Sequence, residues 1–116
     1  MHQSQINIQV VLDEDKMPET LHWQAPDGGV PELQETKAML LGLWDGQEKS
    51  ALRIDLWTKK MMVDEMADFF YQTLMGMADT YNRATKNGEL AKEMKAFATS
   101  FHKKAIDAIE KAEQQG

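Results

Sequence analysis

Between residues 5 and 13 apolar and polar side chains alternate: Ile6, Ile8, Val10 and Leu12 fall on one face, Asn7, Gln9 and Asp13 on the other, with Val11 the exception. A period of two is the mark of a strand with one wet face. Asp13-Glu14-Asp15-Lys16-Met17-Pro18 follows, a run of turn formers closed by a proline that cannot continue a ladder. Leu21, Trp23 and Ala25 then alternate with Thr20, His22 and Gln24, which predicts a second strand and a hairpin with the first. Pro26-Asp27-Gly28-Gly29 makes any regular element costly, so the chain is expected to leave the sheet there.

Residues 30–44 admit two readings. Pro31 as a first helical residue and Gly46 as a C-terminal stop would give one helix over Leu33, Leu40, Leu41 and Trp44, at the cost of placing Lys37 on the buried stripe. The preferred reading is a short polar helical turn over residues 31–36 and a strand over residues 38–44, joined through Asp45-Gly46-Gln47-Glu48-Lys49-Ser50 to a strand over residues 51–58. In that last strand Leu52, Ile54 and Leu56 alternate with Arg53, Asp55 and Trp57.

After Lys59-Lys60 the period changes from two to 3.6. Met66, Phe69, Phe70, Thr73, Leu74, Met77, Tyr81 and Ala84 share one helical face, which predicts a long helix buried along that stripe. Asp64, Glu65 and Asp68 suit the positive end of its dipole, Asp79 and Arg83 form an i,i+4 pair, and Asn87-Gly88 reads as its stop. A last helix over residues 89–115 carries Leu90, Met94, Phe97, Phe101, Ala105, Ala108 and Ala112 on one stripe. The pattern as a whole predicts an α+β fold: an antiparallel meander of four strands, or three if residues 30–44 are helical, covered on one face by two long C-terminal helices.

The length, 116 residues, suits one domain spanning residues 1–116. With 42% hydrophobic and 28% charged residues the chain is expected to fold rather than stay disordered. A formal charge of -6, with no clustered basic stripe, argues against nucleic acid as a partner. Cysteine is absent, which excludes thiol chemistry and Cys-type metal sites. The longest apolar run, residues 38–43, falls far short of the ~20 residues of a membrane span. The polar N-terminus lacks the basic and apolar regions of a secretory signal, so a cytoplasmic location is expected.

Little points to chemistry. His2, His22 and His102 lack the i,i+4 spacing that brings two imidazoles to one metal, and His22 shares its strand face with polar neighbours. Asp13-Glu14-Asp15 opens like a calcium loop but lacks the later glycine and glutamate that close one, so it reads as a hairpin turn. Asp64, Glu65 and Asp68 are explained by the helix dipole, and no nucleophile with a paired base accompanies them. Gly28-Gly29 lacks a phosphate-loop pattern. No catalytic residue, metal site or cofactor is expected.

Methionine is the unusual usage: nine in the chain, with Met61, Met62, Met66, Met75 and Met77 close together. Thioether side chains repack against different partners. Met66 and Met77 lie on the helical stripe and are expected in the core, whereas Met61, Met62 and Met75 lie off it and are candidates for a protein-contact surface. Arg53, Asp55 and Trp57 share a strand face, where the indole beside a charge pair is either a lid over a helix or an interface anchor.

Leu43-Trp44-Asp45, Ile54-Asp55-Leu56-Trp57-Thr58-Lys59, Val63-Asp64-Glu65-Met66, Phe69-Phe70, Gln72-Thr73-Leu74 and Met77-Ala78-Asp79-Thr80 together resemble the GldC family of gliding-motility proteins of Bacteroidetes, over roughly residues 5–101. The resemblance is one of full-length pattern, not of a catalytic signature. It implies a small, soluble, noncatalytic accessory of the gliding machinery, which is linked to type IX secretion, with proteins of that machinery as partners. The order of elements is also similar to that of SecB-like export chaperones, which implies as the alternative a holdase whose oligomerised sheets present Met and aromatic side chains to unfolded clients. Self-association into a homo-oligomer is compatible with both expectations.

Overall fold

The computed structural model describes residues 1–115. It is an α+β chain: strands β1 (Asn7–Leu12), β2 (Pro18–Ala25), β3 (Val30–Thr36), β4 (Ala38–Asp45) and β5 (Ser50–Trp57) precede helices α1 (Val63–Thr85) and α2 (Gly88–Gln115). The chain divides into two compact units, one of residues Met1–Met61 and one from Met62 onward.

All strand pairing in the first unit is antiparallel, but the strands form two sheets, β1-β2-β3 and β4-β5, and there are five of them, not four or three. The additional strand is β3, over the segment expected as a polar helical turn. Its residues are polar because it is an edge with exposed side chains, and Pro31 is tolerated near its start, where its carbonyl accepts a 2.9 Å hydrogen bond from Gln24 Nε2. The helical alternative for residues 30–44 is likewise excluded by the pairing of β4 with β5 over their whole lengths, from Ala38 opposite Trp57 to Asp45 opposite Ser50.

Two hairpins turn by the same device. Asp13 Oδ1 accepts the Asp15 and Met17 amides at 2.9 and 3.0 Å, and Asp45 Oδ1 accepts those of Gln47 and Glu48 at 2.9 and 3.2 Å. Each turn is completed by a lysine with positive φ, Lys16 at 61° and Lys49 at 53°. Aspartate at the first turn position is favoured because its side chain satisfies amides that the turn leaves unpaired. Between β2 and β3 the chain passes through a 3-10 turn, Pro26–Gly28, and leaves it at Gly29 with φ 87°, a conformation glycine adopts without strain.

Leu21 of β2 is fully buried and is the centre of the first unit. Beside it Ile6, Ile8, Trp23, Ala38 and Met39 border a hollow of about 250 Å³. The corner between the two sheets is tied by buried Thr58, whose amide and Oγ1 both donate to the Lys37 carbonyl, at 2.9 and 3.0 Å. Lys60 adds a 3.2 Å ion pair to Glu35.

In the second unit α1 and α2 meet along small side chains: Ala67 and Ala78 of α1 and Ala91 and Ala98 of α2 are buried. The large-residue stripe read from the sequence is not this seam. Ala67, Tyr71 and Ala78 recur at helical spacing about a quarter turn away from it, and Leu74 lies where the two meet. Met77, expected in the core, is exposed, as are Phe70, Tyr81, Leu90 and Phe97. Alanine lets two helix backbones approach closely, which leaves the larger side chains outside the line of contact.

The turn between the helices also differs from expectation. Lys86, not Gly88, takes the left-handed position that ends α1 (φ 60°), with its amide donating to the Asn82 carbonyl at 2.8 Å. Asn87 then caps α2, its Oδ1 accepting the Leu90 amide at 3.2 Å, and Gly88 is the first helical residue. Asp79 pairs with Lys95 of α2 at 2.7 Å and not with Arg83, which instead donates to Thr80 Oγ1. Among the described residues no helix is long and apolar enough to cross a membrane.

Candidate protein-contact surface

Strand alternation sorts the β4-β5 hairpin into two unlike faces. Directly opposite pairs Met39–Leu56, Leu41–Ile54 and Leu43–Leu52 make one face apolar up to Asp45 and Ser50 at the turn end. The other face carries Leu40, Gly42 and Trp44 from β4 and Arg53, Asp55 and Trp57 from β5. The sequence-predicted residues Arg53, Asp55 and Trp57 therefore do share one surface.

Arg53 is the hub of that surface. Its Nε and Nη2 donate to Asp55 Oδ2 and Oδ1 at 3.1 and 2.9 Å, a bidentate fork on a single strand. Gly42 lies directly across the ladder, and a Cβ there would sit 3.2 Å from Arg53 Nη1. The missing side chain gives the guanidinium room to lie over β4. The hydrogen bond to Asp55, and then the Asp55 charge, hold the Arg53 pKa above the ordinary arginine value.

Two indoles flank the pair. Trp57 is 60% exposed, and Trp44, which the sequence reading left inside the ambiguous segment, is 69% exposed on the same face. The signal for Trp44 was the strand period of β4, which puts it in register with Ala51. Exposed tryptophans beside an arginine have the composition of protein-interface anchors.

Of the three methionines proposed for contact, Met61 follows β5 in the first unit, and Met62 and Met75 belong to the second. Met61 is half-buried after β5, with its amide donating to the Thr58 carbonyl at 3.0 Å. Met62 opens α1: its amide donates to Glu65 Oε1 at 3.2 Å, and its exposed side chain borders a hollow of about 530 Å³ with Val63, Ala108, Ile109 and Ala112. Met75 is half-buried within α1. Sequence reasoning missed the apolar feature of this unit, a row of rings running from Phe70 through Phe101 to Phe97, with centroids 6.5 and 6.0 Å apart. Phe97 is 60% exposed.

The polar clusters have structural partners. Asp68 accepts at 2.7 Å from His102 Nε2, and the His102 ring packs on Tyr71 at 4.9 Å. Glu65 caps the α1 N-terminus, and Asp64 Oδ1 accepts the Glu65 amide at 2.9 Å. The acidic run after β1 forms its hairpin turn.

A family model described as gliding motility-associated protein GldC-like matches residues 18–107, from the first residue of β2 into α2. The chain belongs to the GldC-like family. No curated protein and no solved structure matches it. The GldC-like match includes Trp44, Arg53, Asp55, Trp57 and the Phe70–Phe101–Phe97 row, and it runs through both compact units.

Proposed function

We propose that this chain is a noncatalytic accessory of bacterial gliding motility that works by binding proteins of the gliding and type IX secretion machinery. The family match associates it with motility, and the observation that carries the binding role is the exposed Trp44–Arg53–Asp55–Trp57 face. The fork fixes the position of the guanidinium before any partner arrives, and two uncovered indoles offer the apolar area. A cytoplasmic site of action in a Bacteroidetes cell, and residues 1–116 acting as a single domain, belong to the same proposal. Continuity of the family match across both units supports the last point.

The test is deletion of the gene, complemented in turn by the native chain and by a Trp44→Ala/Trp57→Ala double variant. Loss of surface spreading, restored by the first and not by the second, is the expected result. Spreading unaffected by deletion overturns the motility role. Spreading restored equally by both genes overturns this face as the contact.

A second reading is favoured by the Phe70–Phe101–Phe97 row and exposed Met77, which give the helical unit the soft apolar surface of a holdase. In that case the chain slows aggregation of a denatured test protein, and Phe97→Ser weakens the effect. Aggregation at the same rate with and without the chain rejects the holdase.

A further inference from the structure

Edge strands expose unpaired amides and carbonyls, and proteins usually blunt them with charged side chains (lysine above all), proline or a bulge. Sheet β1-β2-β3 shows such devices: the β1-β2 register shifts between Val11 and Leu12, the β2-β3 register between Trp23 and Ala25, and β3 carries Pro31. Strand β5 has no proline, lysine or bulge, and its two charges, Arg53 and Asp55, are of opposite sign and neutralise each other. It runs eight residues in unbroken register with β4 and among the described residues pairs with no other strand. Ile54 at its middle is 50% exposed.

The sequence of β5 is also complementary to its own reversal. Read outward from Ile54, Leu52 matches Leu56 and Arg53 is opposed by Asp55. In an antiparallel pair related by a two-fold axis, residue i faces residue j and j faces i, so the two positions sum to a constant. With Ile54 on the axis, Ile54 meets Ile54, Leu52 meets Leu56, and Arg53 meets Asp55 twice. Any shift of register by two residues loses the paired charges, and a shift by one puts charges against aliphatic positions. Strand β4 has no charged residue before Asp45 and could set no such register.

We infer that β5 is a self-recognition edge: two copies of this chain join through antiparallel β5–β5 pairing centred on Ile54, locked by reciprocal Arg53–Asp55 pairs. The product is a four-stranded sheet. On one side the aliphatic rows of β4 and β5 become continuous across the axis. On the other the two Arg53–Asp55 forks form a square of alternating charge, with each indole at its rim. The occupant is a second copy and not a foreign strand, because backbone pairing alone would accept any extended segment whereas the mirrored charges select this one. The inference does not depend on the cellular role, so the spreading assay and the experiments below fail independently.

The decisive measurement is molecular mass in solution by sedimentation at tens of micromolar. The native chain is expected at twice the 13.2 kDa of one copy. Arg53→Asp places Asp against Asp across the axis, and Asp55→Arg places Arg against Arg, so each variant alone is expected at the single-copy mass. Mixed one to one, the two variants oppose unlike charges everywhere and are expected to recover the doubled mass. Helical circular dichroism verifies that each variant is folded. A native chain of single-copy mass up to about 100 µM, a range that captures all but feeble association, overturns the inference. So does a mixture no heavier than its components. Ile54→Cys gives an independent readout in a chain without native cysteine. Residues facing each other across antiparallel strands have Cα atoms about 4.5 or 5.5 Å apart, within disulfide reach. Mild oxidation is expected to link the copies, and failure to link a folded Ile54→Cys variant also overturns the pairing.

Discussion

Asp79 and Lys95 join α1 to α2 through a 2.7 Å ion pair, where the helical spacing alone had suggested an Asp79–Arg83 pair within one helix. Both side chains are well exposed, so solvent screens the attraction. A double-mutant cycle with Asp79→Ala and Lys95→Ala should give a coupling energy of about 0.2–1 kcal/mol in denaturant melts. The pair aligns the helices more than it holds them. A coupling of several kcal/mol would show that alignment and stability cannot be separated here.

The seam itself should be far less forgiving. Ala78 and Ala98 are fully buried, so Ala78→Leu or Ala98→Leu forces side chains into space the helices already fill and should cost about 1–3 kcal/mol. Phe97→Ala, although it removes a whole ring, should cost less than the about 3–5 kcal/mol of a buried phenylalanine, because Phe97 is mostly exposed. Thermal unfolding of the three variants checks both expectations, and a loss of about 3–5 kcal/mol for Phe97→Ala would show that this exposed ring is held as firmly as a buried one.

Thr58→Val keeps the volume of a buried side chain but removes the 3.0 Å hydrogen bond to the Lys37 carbonyl. The amide of residue 58 still donates to that carbonyl. The acceptor is thus not orphaned, and the loss should be near about 1 kcal/mol, the net worth of one ordinary hydrogen bond. Urea titration of the variant measures it, and an unchanged midpoint would remove Thr58 Oγ1 as a tie for the corner between the sheets.

Asn87→Ala removes the side chain that caps α2 and should lower stability by about 1 kcal/mol, while Asn87→Gly should cost only a few tenths. Equal effects of the two would place the role of Asn87 in backbone conformation and not in its side-chain oxygen.

The strands with large apolar residues at every second position were legible in the sequence, and so were both long helices, because each wets one side and periodicity records that directly. Strand β3 was not. Its exposed edge position leaves Glu32, Gln34 and Glu35 without a buried face to impose alternation, and Pro31 reads as a breaker. The helical seam was hidden for the opposite reason: Ala67, Ala78, Ala91 and Ala98 carry little hydrophobic weight, and the eye follows the phenylalanines, which lie elsewhere. Asn87-Gly88 was assigned to the end of one helix when it starts the next, since either residue type serves both purposes and only the left-handed turn at Lys86 decides. For the contact surface, alternation alone placed Arg53, Asp55 and Trp57 together. Trp44 required knowing that its segment was a strand, and the methionines were chosen for chemistry and not for position.

Lys16, Lys49 and Lys86 occupy left-handed backbone positions that glycine would fill without strain. Each is a bend in the chain, remote in role from the aliphatic rows, the indoles and the rings. The corners therefore hold unused robustness: relaxing them would harden the molecule against heat while every recognition surface kept its composition. Such a hardened background would let bulky or charged replacements be tried on those surfaces, and a lost association could then be assigned to the surface itself rather than to a collapsing scaffold.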